Sequence, residues 1–299
     1  MIDAMTSLHF LPPFRLQVNN RKLIQGFYQG IGLTDIDDAM RIIDKLDKVP
    51  PQEVARLLVE QAGATEEQAQ ACLRLAEIST EDTSFVEQVR ALGVHSPLLE
   101  EGLAELAGVI EGCAPLTGDR VRVSADLRIA RGLDYYTGTV FETRLSGFES
   151  LGSICSGGRY DALASDGRAT YPGVGISLGV SRLLIPLLQR GVLDATRPVP
   201  SAVLVALNNE ESRTDADALA QRLRARGVAA EVAAAPQKFG KQIRYAERRG
   251  IPFVWFTNDE GHQVKDIRTG DQVTADPDAW LPPEADARPR VVAFAPEPK

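Results

Sequence analysis

Residues 131–142 read RGLDYYTGTVFE. A charged residue runs into a glycine, an acid and paired tyrosines, and the β-rich run at 137–141 predicts a turn feeding a strand. Residues of this kind at a strand's entry suit a small polar ligand. Arg131 offers a fixed fork of donors for carboxylate or phosphate, Gly132 permits close backbone approach, and Tyr135 or Tyr136 supplies a ring wall with a hydroxyl at its edge. On composition alone an ordinary buried strand is the favoured reading over a ligand site.

Two further stretches lie downstream. Residues 153–161 read SICSGGRYD, and residues 171–184 read YPGVGISLGVSRLL, where small residues alternate with apolar ones before an arginine. The ordered set resembles histidyl-tRNA synthetase, a class II aminoacyl-tRNA synthetase, with two histidine-specific signatures followed by class II motif 3. The resemblance runs over essentially the whole chain. It implies an α/β fold: an α+β class II catalytic core with an incomplete antiparallel sheet and a helical insertion, followed by a C-terminal α/β anticodon-binding domain.

The resemblance also implies roles. Arg131 would act on the α-phosphate of ATP, countering the charge that grows on the pentacovalent phosphorus as histidyl-adenylate forms. The tyrosines would line the histidine pocket. Strand alternation would send them to opposite faces, with Tyr136 on the imidazole and Tyr135 on the pocket wall or the amino-acid end. Gly157 and Gly158 would form the pocket floor and keep side chains out of the histidine's space, with Arg159, Tyr160 and Asp161 beginning the next turn. Ser156 stands where the family often has a third glycine, and Cys155 reads as a buried small residue.

In residues 171–184, Gly175, Ser177 and Gly179 alternate against Val174, Ile176 and Leu178, which predicts a strand with one bare face for a flat base. Arg182 opens the next helix and, by the resemblance, would stack over adenine or hold the terminal phosphate of ATP, with Gly179 beside it. Ser181 replaces an acid that often precedes this arginine. Magnesium is implied with ATP as substrate, and no protein metal site is expected.

Bulk properties agree with a globular chain. Its 299 residues allow two or three domains, and 44% apolar with 25% charged residues is ordinary for a soluble protein. No apolar run reaches membrane-spanning length and no signal-like start is seen, so a cytoplasmic location is expected. Cys72, Cys113 and Cys155 form no CxxC pair, and His9, His95 and His262 are scattered, which excludes a disulfide framework or a zinc motif. A net charge of −8 argues against nonspecific nucleic-acid binding while allowing a local basic face.

Taken in order, Ile2, Met5 and Leu8 share a helical face before Pro12 and Pro13, and 14–18 alternates as a strand. In the family this segment follows motif 2, so the chain resembles a C-terminal portion without motifs 1 and 2. Residues 21–33 predict a helix ending at glycine. Asp35, Asp37 and Asp38 suit the start of the next helix, which Pro50 and Pro51 stop. Residues 52–113 read as short amphipathic helices divided by Gly63, Gly93 and Pro97, with Thr65 and Ser96 as N-caps. By the resemblance they are an insertion near the tRNA acceptor arm, in a packing or lid role or in contact with the RNA. Residues 121–129 alternate as a half-buried strand leading to Arg131.

The expected domains are 1–50 and 116–195 for the catalytic core, 51–115 for the helical insertion, 201–285 for the anticodon-binding domain and 286–299 for a Pro-rich tail, poorly ordered apart from a candidate last strand at 291–294. That last domain reads strand (202–207), helix (214–226), strand (229–233), helix (239–249), strand (253–257), which predicts a largely parallel sheet. Lys238, Lys241, Arg244 and Arg248 are the candidate tRNA-binding residues, although a merely solvated helix face is the other reading. The implied activity is ligation of L-histidine to tRNA(His) through an adenylate, in a family that is homodimeric. The alternative is a non-catalytic synthetase-like module sensing histidine or tRNA.

Overall fold

The computed structural model describes residues 1–129, 135–258 and 261–293. They fall into two compact units, Met1–Pro186 and Leu187–Lys299. The first unit opens with α1 (Ile2–Thr6), which turns Ile2 and Met5 inward, and Pro12 and Pro13 part it from β1 (Phe14–Asn20). Asn20 ends the strand and caps α2 (Arg21–Gly30), its side-chain oxygen accepting from the Lys22 N–H at 2.9 Å. In α3 (Ile36–Ile43), Asp35 caps by accepting from the Asp38 N–H, and Asp37 and Asp38 complement the positive helix end. Pro51 then does more than stop a helix: it opens α4 (Pro51–Ala62), where its missing N–H costs nothing.

Gly63, at φ 65°, closes α4, and Thr65 with Gln68 forms a reciprocal capping box on α5 (Glu66–Ala76). There follow β2 (Ser79–Thr80), α6 (Phe85–Arg90) and α7 (Pro97–Cys113), whose cap Ser96 accepts from the Leu99 N–H. The remaining elements are β3 (Val121–Asp126), β4 (Thr139–Leu145), β5 (Cys155–Tyr160), β6 (Gly173–Leu178) and α8 (Val180–Gln189). Arg159 and Tyr160 therefore continue a strand rather than begin a turn, because their backbone pairs with Val174 and Gly173 of β6.

The sheet runs β2-β3-β1-β4-β5-β6, with β1 and β3 parallel and every other pairing antiparallel. Register sorts its side chains into two faces, since directly opposed residues share a face. Ile176, Gly157, Phe141, Val18 and Ala125 form one continuous apolar row. Ser177, Ser156, Glu142, Gln17 and Ser124 form the adjacent row on the opposite, polar face. Helix α7 packs against α2, β1 and β3, placing this part of the helical stretch within the same unit as the sheet. Helices α2 and α7 meet backbone to backbone: a Cβ on Gly26 would stand 2.3 Å from the Leu99 nitrogen, and one on Gly102 would stand 2.2 Å from that of Leu23.

The second unit holds β7 (Leu193–Ala195), β8 (Val203–Val205), α9 (Arg213–Ala225), β9 (Ala230–Val232), α10 (Phe239–Arg249) and β10 (Phe253–Asn258). After these come β11 (Gly261–Asp266), β12 (Gln272–Thr274), α11 (Glu284–Ala287) and β13 (Val291–Ala293). Strands β10, β8 and β9 are parallel, as expected. Strands β11 and β12 extend the sheet antiparallel, which the sequence reading lacked. The connection from β10 to β11 is too short for a crossover, so it can only fold back. In the tail, the last strand expected at 291–294 forms as β13 through residue 293 and pairs with β7, and the segment before it is held as well: Asp286 pairs with Arg268 at 2.8 Å and its carbonyl accepts from Arg197. Phe294 lies outside the described residues.

The close helix crossing yields a paired prediction. Gly26→Ala should destabilise the first unit by about 3 kcal/mol, the upper range for overpacking. Gly108→Ala, on α7 with nothing within 4 Å of its Cβ position, should be neutral or stabilising in the same urea titration.

Candidate active-site face

The polar face of the first sheet gathers the chemistry. Asn19 and Asn20 are both fully buried at the end of β1, and Asn19 together with the backbone of Arg21 holds the two ends of the signature segment. The Asn19 amide donates to the Ile129 carbonyl at 2.9 Å, and its own oxygen accepts from the Asn20 N–H. One residue on, the Arg21 N–H donates to the Gly138 carbonyl at 2.9 Å. Asn20 also donates to Glu105 of α7 at 2.7 Å, where Lys22 donates to the second oxygen. Burial raises the Glu105 carboxyl, but the Lys22 and Asn20 hydrogen bonds outweigh it and leave the group below its ordinary value. Arg131 lies between the two anchored ends and outside the described residues.

Tyr135 and Tyr136 precede β4 instead of lying in it, so strand alternation does not separate them as the sequence reading expected. Their rings meet edge to face with centroids 4.7 Å apart, and Tyr160 packs on Tyr135 at 6.1 Å. Thr137 fixes the turn that follows: its N–H donates to the Arg159 carbonyl and its hydroxyl to Asp161 at 2.7 Å. Burial first, then the hydrogen bond to Tyr135, pushes the Tyr136 phenol up to about 12, so it stays neutral at physiological pH.

The two glycines expected to share a pocket floor look in opposite directions, because they are adjacent on β5. Gly158 is on the polar face, where a Cβ would come within 2.9 Å of the Tyr136 ring. Gly157 is on the apolar face, where one would meet Phe141 at 2.6 Å. The bare face expected along β6 is likewise partly filled, since a Cβ on Gly173 would stand 2.8 Å from the Tyr160 ring. Glycine here makes room for this chain's own rings. Arg182 on α8 donates to the Ser153 carbonyl at 2.8 Å, beside Gly179, whose N–H donates to the Ile154 carbonyl. Gly179 and Arg182 are thus tied to the loop before β5.

The sequence reading missed a second part of this face. Gln17, Asp126, Glu142, Arg144 and Asp47 surround a small cavity of about 120 Å³. Glu142 and Asp126 are almost fully buried. Arg144 bridges Glu142, at 2.9 Å, to Asp47, while Gln17 donates to Asp126. Burial lowers the Arg144 value, but these two carboxylates outweigh it and raise the group above its ordinary range. The buried Gln17 carbonyl oxygen and Ser124 hydroxyl have no protein partner. The signal was available in FRLQVNN and TVFETRL, where period 2 puts Gln17 with Asn19 and Glu142 with Arg144 on one side.

Comparison with known proteins follows the same residues. The model for histidyl-tRNA synthetase matches residues 1–183, and that for an anticodon binding domain matches residues 201–280. The chain belongs to the histidyl-tRNA synthetase family. It is 58% identical over 296 residues to the histidine–tRNA ligase of Micrococcus luteus, covering 97% of this chain and 64% of that protein. It is 50% identical over 301 residues to that of Cutibacterium acnes, covering 98% and 66%. A histidyl-tRNA synthetase crystal structure from a Nostoc species aligns with a TM-score of 0.61 at 34% identity, over 90% of this chain and 64% of that one. This synthetase-family chain therefore spans somewhat under two thirds of the length of those relatives. Among its described residues, no helix is long and apolar enough to cross a membrane, and no cluster of three or more His, Cys, Asp or Glu is placed to hold a metal.

Two predictions test this face. Asn19→Leu leaves the Ile129 carbonyl without its donor and should cost about 2 kcal/mol in a urea titration. The raised Tyr136 phenol contributes stability that is complete below its ordinary value near 10 and is lost as pH rises towards about 12. Tyr136→Phe should therefore remove part of the alkaline loss of stability, read from melting temperatures across that window.

Proposed function

We propose that this chain is the portion of a histidine–tRNA ligase that binds L-histidine and tRNA(His), and that together with the remaining third of its relatives' length it activates histidine with ATP. The observation that carries this is the Tyr135–Tyr136 pair seated over Gly158, at the end of a segment anchored by Asn19 and Arg21. In this reading Arg131 donates to the α-phosphate while the histidine carboxylate oxygen attacks phosphorus and pyrophosphate leaves. A cationic fork held in a dry site offsets the charge gained in that step without waiting for solvent to reorganise.

Tyr136, as a neutral phenol, presents a hydrogen-bonding edge to the imidazole, and Tyr135 walls the pocket. Gly179 and Arg182 sit at the ATP end, with the guanidinium set against the base or the terminal phosphate. Magnesium arrives with ATP as its counter-ion. The transfer step then moves the histidyl group from the adenylate to the 3′ end of tRNA(His). Lys238, Lys241, Arg244 and Arg248 grip that RNA: Lys241 and Arg248 are exposed and make no ion pair among the described residues. Cations left free in a chain of net charge −8 suit a phosphate backbone.

Strand β6 supports the need for further polypeptide. It is the edge of the sheet, and Val174 and Ile176, on the same face of the strand, are 62% and 56% exposed, with Ile176 at the end of the apolar row. Apolar side chains on an unpaired strand edge suit an added strand.

Histidine-dependent ATP–pyrophosphate exchange is the deciding measurement, made with and without a polypeptide carrying the third of the relatives' length that this chain does not match. Exchange should require the added polypeptide and should fall on the order of 100-fold with Arg131→Ala. Absence of exchange in both mixtures, with histidine or tRNA still bound, would replace the ligase with a binding module.

A further inference from the structure

Where α10 ends, the second unit holds a cavity of about 380 Å³ that is also bordered by the β11–β12 turn and α11. Ile251, Pro252, Ile267 and Ala285 give it an apolar wall. Arg197, from the linker after β7, lines it too and is only 8% exposed. Its Nε donates to the Val199 carbonyl at 2.9 Å, and its two terminal nitrogens donate to the Asp286 and Pro200 carbonyls at 2.8 and 2.9 Å. A guanidinium carries two N–H groups on each terminal nitrogen, so one on each is left without a partner among the described residues.

The charge of Arg197 is unmatched as well. Asp286 lines the same cavity, but both of its carboxylate oxygens accept from Arg268 at 2.8 Å. Arg197 is therefore bonded to neutral carbonyls alone. Burial pulls its guanidinium below the ordinary range, with Asp286 opposing that shift and Arg268 adding to it. A buried cation is costly unless an anion meets it. Glu247, exposed on the last turn of α10, is the remaining charged group of the lining, and no ion pair holds it among the described residues. The end of α10, closed at Gly250, adds partial negative charge beside it. The cavity thus presents an unmatched cation, an unmatched carboxylate and an apolar wall.

We propose that this cavity binds a small zwitterion, a free α-amino acid with an apolar side chain, whose carboxylate takes the spare donors of Arg197 and whose ammonium group faces Glu247. A carboxylate suits a guanidinium fork held rigid by three carbonyls, because little freedom is lost when the bond forms. An anion without a cationic group would be set against Glu247 and the helix end, and a cation without a carboxylate would leave Arg197 unmatched. The apolar wall takes the side chain. All of these residues belong to the second unit, so the site stands apart from the Tyr135–Tyr136 pair and does not depend on the ligase reading.

The test is titration calorimetry on the full chain with L-leucine, with isocaproate, which lacks the ammonium group, and with isoamylamine, which lacks the carboxylate. Leucine should bind, and each of the other two should bind about 10-fold more weakly. Glu247→Gln should weaken leucine about 10-fold and leave isocaproate unchanged; Glu247 is exposed, so this variant separates lost charge from lost folding. Ala285→Phe, at an exposed position of α11, sets a ring in the cavity without touching the three Arg197 hydrogen bonds, and should abolish leucine binding at an unchanged melting temperature. A wild-type chain that does not bind leucine overturns the proposal. So does leucine binding that survives both Ala285→Phe and Glu247→Gln, because the amino acid then sits elsewhere on the chain. Isocaproate binding as tightly as leucine overturns it too and leaves a plain anion site. None of these results bears on the ligase reading, which pyrophosphate exchange decides.

Discussion

Two consecutive buried asparagines at the end of β1 are the constraint on which the polar face depends. Asn19 and Asn20 sit where a strand becomes a helix, a point at which backbone groups lose their regular partners. One amide holds the Ile129 carbonyl, and the other caps α2 and reaches Glu105 on α7. The segment between Ile129 and Gly138 is thus held at one end by Asn19 and at the other by the Arg21 N–H that directly follows Asn20. Buried amides of this kind are costly unless every group is paired, and here the pairing determines the geometry of the loop.

Packing beneath that junction serves the same end. Helices α2 and α7 approach through Gly26 and Gly102 until their backbones touch, which brings Glu105 within reach of Asn20 and Lys22. A larger residue at either glycine would push α7 away and loosen the anchor. On the other side of the sheet, Arg144 neutralises the buried Glu142 while linking β4 to the turn at Asp47. Helix packing and buried charge therefore meet at one five-strand register.

Much of the fold was legible in the residues. Proline and glycine punctuation, the caps at Asp35, Thr65 and Ser96, and the strand alternation each depend on short-range sterics and hydrogen bonds, which local sequence encodes. The expectations that failed concern residues whose surroundings come from afar. Strand alternation was expected to separate Tyr135 and Tyr136, yet both precede β4 and their rings meet edge to face. Gly157 and Gly158 were read as one floor, yet the pairing of β5 sends them to opposite faces. The antiparallel hairpin of the second unit lacked a recognisable pattern because β11 and β12 are mostly polar.

By itself the sequence determined the family, the order of its signatures and the two-part organisation, because motif spacing and periodicity are properties of the chain alone. Tertiary structure alone decided which residues share the polar face, since register brings Gln17, Glu142 and Ser156 into one row from three strands. It also decided that Lys241, Arg244 and Arg248 border a groove while Lys238 does not, because that depends on where α10 lies against Leu204 and the residues that follow β9. The physical reason is common to both: helix and strand periods are local, whereas a shared face or a cavity exists only once separate elements are packed.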